Sequence, residues 1–257
     1  TANSSASAVS LGAGGSAAPY SQLISALAPA STYFFCAIGS SAEGIAFGTV
    51  QSFTTPAAPT VTTVAASGVT STAATLNGSA NPNGAAATGW LRYSATSPGT
   101  CNDTFGTRLP ATGGTALGAG SVAAAYSQPA TGLQPGTTYY FCAIASNSVG
   151  TSLGTLLSFA APAVAPGVTT LAASAVSSSG ATLNGAASAG GAAAEGWFRY
   201  SQTNPGSCDD TFGTRTPASG GTALGSGGTA VPFSQALTGL LLGTTYYFCA
   251  ISSNPVG

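Results

Sequence analysis

The sequence predicts an all-β chain, built of tandem antiparallel β-sandwich domains. Three observations predict it. A short aromatic run bounded by turn formers is written three times, as Tyr33-Phe34-Phe35-Cys36-Ala37-Ile38, Tyr139-Tyr140-Phe141-Cys142-Ala143-Ile144 and Tyr246-Tyr247-Phe248-Cys249-Ala250-Ile251. Such a run reads as a strand buried on at least one face. The whole chain follows the same period: Cys36, Cys142 and Cys249 recur at spacings of 106 and 107 residues, and Cys101 and Cys208 at 107. Within one period, about seven short β-type runs alternate with turn signals, and no segment carries a helical period.

The middle copy is complete in sequence, and its runs fall in order at 61–66, 73–78, 89–94, 115–118, 122–128, 138–147 and 153–159. Asn81-Pro82-Asn83-Gly84 separates the second run from the third, and Gln134-Pro135-Gly136 precedes the sixth. The third copy starts at Gly167-Val168-Thr169-Thr170-Leu171, and its final residue, Gly257, matches Gly150. Thr1 matches Thr107, so the first copy holds only the second half of the pattern. Three units follow: 1–56, the C-terminal half of a repeat; 59–163, a full repeat; and 166–257, a repeat without its last strand. Half a sandwich cannot bury a core. Either a longer chain continues on both sides, or a neighbouring subunit supplies the missing strands, with residues 45–53 the segment to donate. The linkers Thr55-Pro56-Ala57-Ala58-Pro59 and Ala161-Pro162-Ala163-Val164-Ala165-Pro166 are Pro-rich, hence extended and semi-rigid.

The spacing of Leu133-Gln134-Pro135-Gly136-Thr137-Thr138-Tyr139, then Ala145-Ser146-Asn147-Ser148-Val149-Gly150 and Ser158-Phe159, resembles the fibronectin type III family, the bacterial secreted versions especially. The resemblance covers the whole chain and implies an immunoglobulin-like sandwich. It also implies that Tyr33, Tyr139 and Tyr246 each form a tyrosine corner, the hydroxyl tying its strand to the preceding turn. The first copy departs from the turn motif with Ala28-Pro29-Ala30-Ser31 and the third with Leu241-Leu242-Gly243-Thr244.

The cysteines depart from an immunoglobulin core. The second run, Ala73-Ala74-Thr75-Leu76-Asn77-Gly78, has none, so the partner within a copy is the loop cysteine. Cys101 with Cys142 and Cys208 with Cys249 both span 41 residues, which predicts one disulfide per copy. Closing a loop of that length contributes about 4 kcal/mol in the chain-entropy model. It also places the protein in an oxidising compartment, extracellular or at a cell surface. The partner of Cys36 would lie six residues before Thr1.

Alternation along the sixth run sends Tyr139, Phe141, Ala143 and Ala145 inward and Tyr140, Cys142 and Ile144 outward. The third run sends Leu91 and Tyr93 inward and leaves Trp90 and Arg92 on the same outer face. The third copy repeats this with Trp197, Arg199, Tyr247 and Ile251. Two readings stand: an open contact face, since apolar patches mark interaction sites, or a face covered by residues 97–114. In that loop Asp103 and Arg108 are placed to pair, and Phe105 to plug the patch.

Composition restricts function. Only 4% of residues are charged, with net charge −1 and neither Lys nor His, against roughly 25% charged in ordinary domains. There is no basic footprint for nucleic acid and no polybasic patch or apolar span for a membrane. Thr1-Ala2-Asn3-Ser4-Ser5 lacks the charged and apolar regions of a leader, so the chain reads as neither anchored nor a precursor. Glu43, Asp103, Glu195, Asp209 and Asp210 are the only carboxylates. Asp209 and Asp210 diverge in an extended segment and make no acid/base pair, which argues against an enzyme. One or two loop carboxylates fall short of a calcium site, and the Cys spacing matches no zinc module; no metal and no cofactor is expected. Asn3-Ser4-Ser5, Asn77-Gly78-Ser79 and Asn102-Asp103-Thr104 fit the N-glycosylation triplet. The third copy lacks the last two, reading Asn184-Gly185-Ala186 and Asp209 there, so glycans are not required by the repeat. Weak charge favours self-association. The expected function is a structural component of an extracellular filament or surface fibre, partnered by itself or by neighbouring repeats. The alternative is an adhesin or the carbohydrate-binding or spacer module of a secreted enzyme, with Trp90 and Trp197 stacking on sugar.

Overall fold

A computed structural model describes residues 8–257; the triplet at Asn3 lies outside them. The described residues contain strands and no helix. In the first repeat, β1 (Thr32–Phe35) pairs with β4 (Gln51–Thr54), and β2 (Ile38–Ser41) pairs with β3 (Gly44–Phe47). Residues 18–25 match a strand of the middle repeat in sequence but form none here. A strand needs an edge to bond to, and the strand that would offer it has no counterpart in the chain.

The middle repeat holds β5 (Thr60–Ser67), β6 (Ala73–Asn81), β7 (Ala87–Ser94), β8 (Thr107–Leu109), β9 (Thr115–Gly118), β10 (Ala124–Thr131), β11 (Thr138–Ser146), β12 (Thr151–Leu153) and β13 (Leu157–Ala160). One antiparallel sheet runs β10-β6-β5. The other is built on β7 and β11, with β8 and β9 along β7 and β12 and β13 along β11. Three strands facing this larger sheet make a fibronectin type III-like sandwich. The third repeat, β14 (Gly167–Ser174), β15 (Gly180–Ser188), β16 (Ala194–Ser201), β17 (Thr214–Thr216), β18 (Thr222–Gly225), β19 (Val231–Thr238) and β20 (Tyr247–Ser253), follows the same pairings up to β20.

Alternation along β6 is strict, with Ala74, Leu76, Gly78 and Ala80 facing the core. The core joins Leu76 and Leu91 to Tyr126, Tyr139, Phe141 and Ala143. Gly78 and Gly89 make room for the Tyr126 ring: a Cβ on either would come within 2.9 Å of it. The Tyr126 hydroxyl donates to the Ile144 carbonyl at 2.9 Å, and burial raises its pKa above the ordinary tyrosine value. Phe233 takes the same place against Gly185 and Gly196. Between the sheets, the Thr63 hydroxyl accepts the Ala143 amide at 3.0 Å, and Thr170 accepts Ala250 at 2.9 Å.

The predicted single run at 153–159 is two strands. At Gly154 the chain leaves one register and enters another, donating its amide to the Ala143 carbonyl at 2.8 Å. A Cβ there would lie 2.4 Å from the Thr63 hydroxyl, so the break needs glycine. Short β8, inside the predicted loop, is also additional to the sequence reading. It bonds to the free edge of β7 through Leu109, Arg108 and Thr107.

Candidate functional site

The face of interest is the outer side of the β7–β11 sheet. Antiparallel register sets Trp90 opposite Ile144 and Arg92 opposite Cys142, as it sets Trp197 opposite Ile251 and Arg199 opposite Cys249. Trp90, Cys142 and Ile144 form a second, small apolar cluster, packed beneath Cys101, Phe105 and Leu156. Trp90 is 8% exposed and Ile144 is 0% exposed. The expectation of an open contact face therefore fails for Trp90, Ile144 and Trp197, which lie under the loop. Ile251 is half-buried, as are Arg92, Arg199 and Tyr140; only Tyr247 is exposed, at 39%. Apolar area on one side of a sheet is cheaper to cover with the chain's own loop than to leave in water.

Four attachments hold the cover. Cys101 is joined to Cys142 and Cys208 to Cys249. A single Asp103 oxygen accepts from the Trp90 indole at 2.8 Å and from Arg92 Nε at 2.7 Å. Arg92 also donates to the Phe105 carbonyl at 2.9 Å. The Arg108 guanidinium lies over the Trp90 ring and donates onward to the carbonyls of Pro110 and Gly113. Asp103 thus pairs with Arg92 rather than with Arg108. Strand β8 turns Arg108 over the indole and out of the carboxylate's reach.

The third repeat reproduces each attachment. Asp210 accepts from Trp197 and from Arg199, both at 2.8 Å, and Arg215 covers the Trp197 ring. Burial pushes the Asp210 pKa up, but hydrogen bonds from Arg199 and Trp197 and the charges of Arg199 and Arg215 outweigh it; the net shift is downward. Its neighbour Asp209 points elsewhere, accepting from Thr211 and Phe212 as Asn102 does from Thr104 and Phe105. The Thr211 hydroxyl and amide lower its pKa. Among the described residues no three acidic, His or Cys side chains gather into a metal cluster.

Each corner tyrosine accepts an amide five residues back: Tyr33 from Ala28 at 2.9 Å, Tyr139 from Gln134 at 2.9 Å and Tyr246 from Leu241 at 3.0 Å. Cys36, at the position of Cys142, is unpaired and half-buried. Asn77 commits its amide to Ala65 and Ser67.

Missed by sequence reasoning was the role of Asn147 and Asn254. Asn147 donates to the carbonyls of Ala57 at 2.7 Å and Pro82 at 2.9 Å, while its oxygen accepts the amides of Val149 and Gly150. Asn254 treats Val164, Ala189, Val256 and Gly257 in the same way. The only signal was an Asn at equal spacing in the two copies.

The second and third repeats are fibronectin type III-like β-sandwiches. That statement rests on the strand pairings and on the sheet-to-sheet packing. No protein-family model and no curated protein matches the sequence. Among solved structures, the crystal structure of chicken CNTN1 FN1-FN3 domains aligns at 15% identity and a TM-score of 0.29, over 89% of this chain and 72% of that one. The two disulfides fit an oxidising, extracellular setting.

Proposed function

We propose that the chain is a structural component of an extracellular filament or cell-surface fibre, of the kind that secreted bacterial proteins build. Its partners in this reading are further copies of itself and its own neighbouring repeats. One observation carries it: in both stapled repeats, the two arginines, the tryptophan and one aspartate are spent on holding a loop to a sheet. Asp103, Arg92, Arg108 and Trp90 satisfy one another, and so do Asp210, Arg199, Arg215 and Trp197. The Trp faces that a sugar would stack on carry guanidinium groups instead, which weighs against the carbohydrate reading. The reading is non-enzymatic.

The remaining surface is built of small, nearly uncharged residues, with apolar side chains such as Val122, Val176 and Leu242 more than 70% exposed. Weak charge repulsion lets such surfaces approach one another. Sedimentation over a hundredfold concentration range, with negative-stain microscopy of the same samples, tests the proposal. Growth into elongated assemblies is expected; dispersed single chains at every concentration would overturn it.

A further inference from the structure

We infer that both junctions between repeats are stiff, and that they are made stiff in two different ways. At the first junction the linker does the work. The Thr55 amide donates to the Ser31 carbonyl at 3.0 Å, inside the first repeat, and the Ala57 amide donates to the Asn83 carbonyl at 3.0 Å, inside the second. Only Pro56 stands between these anchors. Its ring fixes φ, and its carbonyl accepts the Ala30 amide at 3.1 Å. The Pro56–Ala57 peptide group therefore bonds to one repeat through its oxygen and to the next through its nitrogen. Asn147 and Asn83 then hold the carbonyls of Ala57 and Ala58. No torsion is left free to bend.

The second junction has the same anchors with one more residue between them. The Ala161 amide donates to the Thr137 carbonyl at 2.9 Å, and the Val164 amide to the Gly190 carbonyl at 2.8 Å, with Asn254 on the Val164 carbonyl. Pro162 and Ala163 lie between, and Ala163 brings two soft torsions that the first junction lacks. Here the repeats touch directly. The turn at Pro135 and Gly136 meets Gly191 backbone to backbone: a Cβ on Gly136 would fall 1.8 Å from the Gly191 carbonyl oxygen, and one on Gly191 would fall 2.3 Å from the Pro135 carbonyl carbon. The Gln134 side chain also stands where a Cβ on Gly228 would fall, 2.8 Å from it. At the first junction, Gly84 holds the place of Gly191, and a Cβ on it would meet nothing nearer than 3.7 Å. The turn residue there is Ala30, an alanine at φ 54° where Gly136 has φ 69°. The turn therefore accepts alanine, and glycine is needed at 136 for the contact. The extra linker residue and the Gly136–Gly191 contact go together, the second replacing the stiffness that the first removes.

This inference concerns single chains and holds whether or not they assemble into fibres. Residual dipolar couplings measured on the dispersed chain test it. For the unmodified chain, one alignment tensor is expected to fit the amides of both the second and third repeats. Gly136→Ala, a residue the same turn carries in the first repeat, is expected to split them, with the tensor magnitude of one repeat falling at least twofold below the other. Gly191→Ala is expected to do the same from the other side. Gly84→Ala puts an alanine at φ 88° as Gly191→Ala does at φ 90°, but without the clash, and is expected to keep a single tensor. Separate tensors in the unmodified chain would overturn the inference, as would a shared tensor in the folded Gly136→Ala chain.

Discussion

The guanidinium of Arg108 lies 4.7 Å from the centre of the Trp90 ring, and Arg215 stands 4.5 Å from that of Trp197. A planar cation on an indole face is an attraction in its own right. Here it also closes the indole face to a ligand.

Arg108→Ala is expected to uncover the indole. Trp90 emission should shift to the red, and acrylamide should quench it more strongly, while the repeat loses about 0.5–2 kcal/mol of stability. Unchanged quenching would mean that the rest of the loop covers the ring without the arginine.

Tyr139→Phe leaves the Gln134 amide without its acceptor at an otherwise unaltered turn. The expected cost is about 1–3 kcal/mol, read as a lower urea midpoint with an unchanged slope. A change in slope instead would locate the effect in the unfolded chain.

Asp210 predicts an acid-sensitive cover on the third repeat. Its carboxyl has a lowered pKa in the folded chain, so the ionised form is the one folding favours. That contribution is present above the unfolded value near 4 and is lost as the pH falls through the lower folded value. In a Trp90→Phe background, Trp197 emission is expected to report this loss below about pH 4. Asp210→Asn should abolish the step.

The disulfides predict a signature under tension. Pulling one repeat open from its ends cannot extend the 41 residues that each bridge encloses. Reduction is expected to lengthen each unfolding step of the second and third repeats by about 140 Å, at roughly 3.4 Å per residue. Equal steps with and without reductant would count against the bridges.

Much of this was legible in the sequence, because period-two alternation around a repeated aromatic run says which side chains share a face. Tyr139, Phe141 and Ala143 lie in the core, and Trp90, Cys142 and Ile144 on the other side of the same sheet. Whether that other side stays open depends on where a long loop goes, and residue order along a loop does not encode direction. Arg108 shows why. In one dimension it sits five residues from Asp103 and invites a pairing, but the register of β8 lifts it over Trp90 and gives the carboxylate to Arg92. The break at Gly154 was hidden for a similar reason, since it answers to Thr63 in a strand far away in the chain. The recurrence of Asn147 as Asn254 marked a position but not a role, because its partners are carbonyls, which every residue has.

Asn147 reaches a carbonyl 90 residues earlier in the chain, and Asn254 reaches its own at the same distance. The second and third repeats thus each bring the hand that grips the peptide in front of them, and this grip depends on no side chain of the repeat before. Duplication or loss of a whole period would leave this grip intact on both sides of the cut. The grip itself therefore sets no limit on how many such units can follow one another.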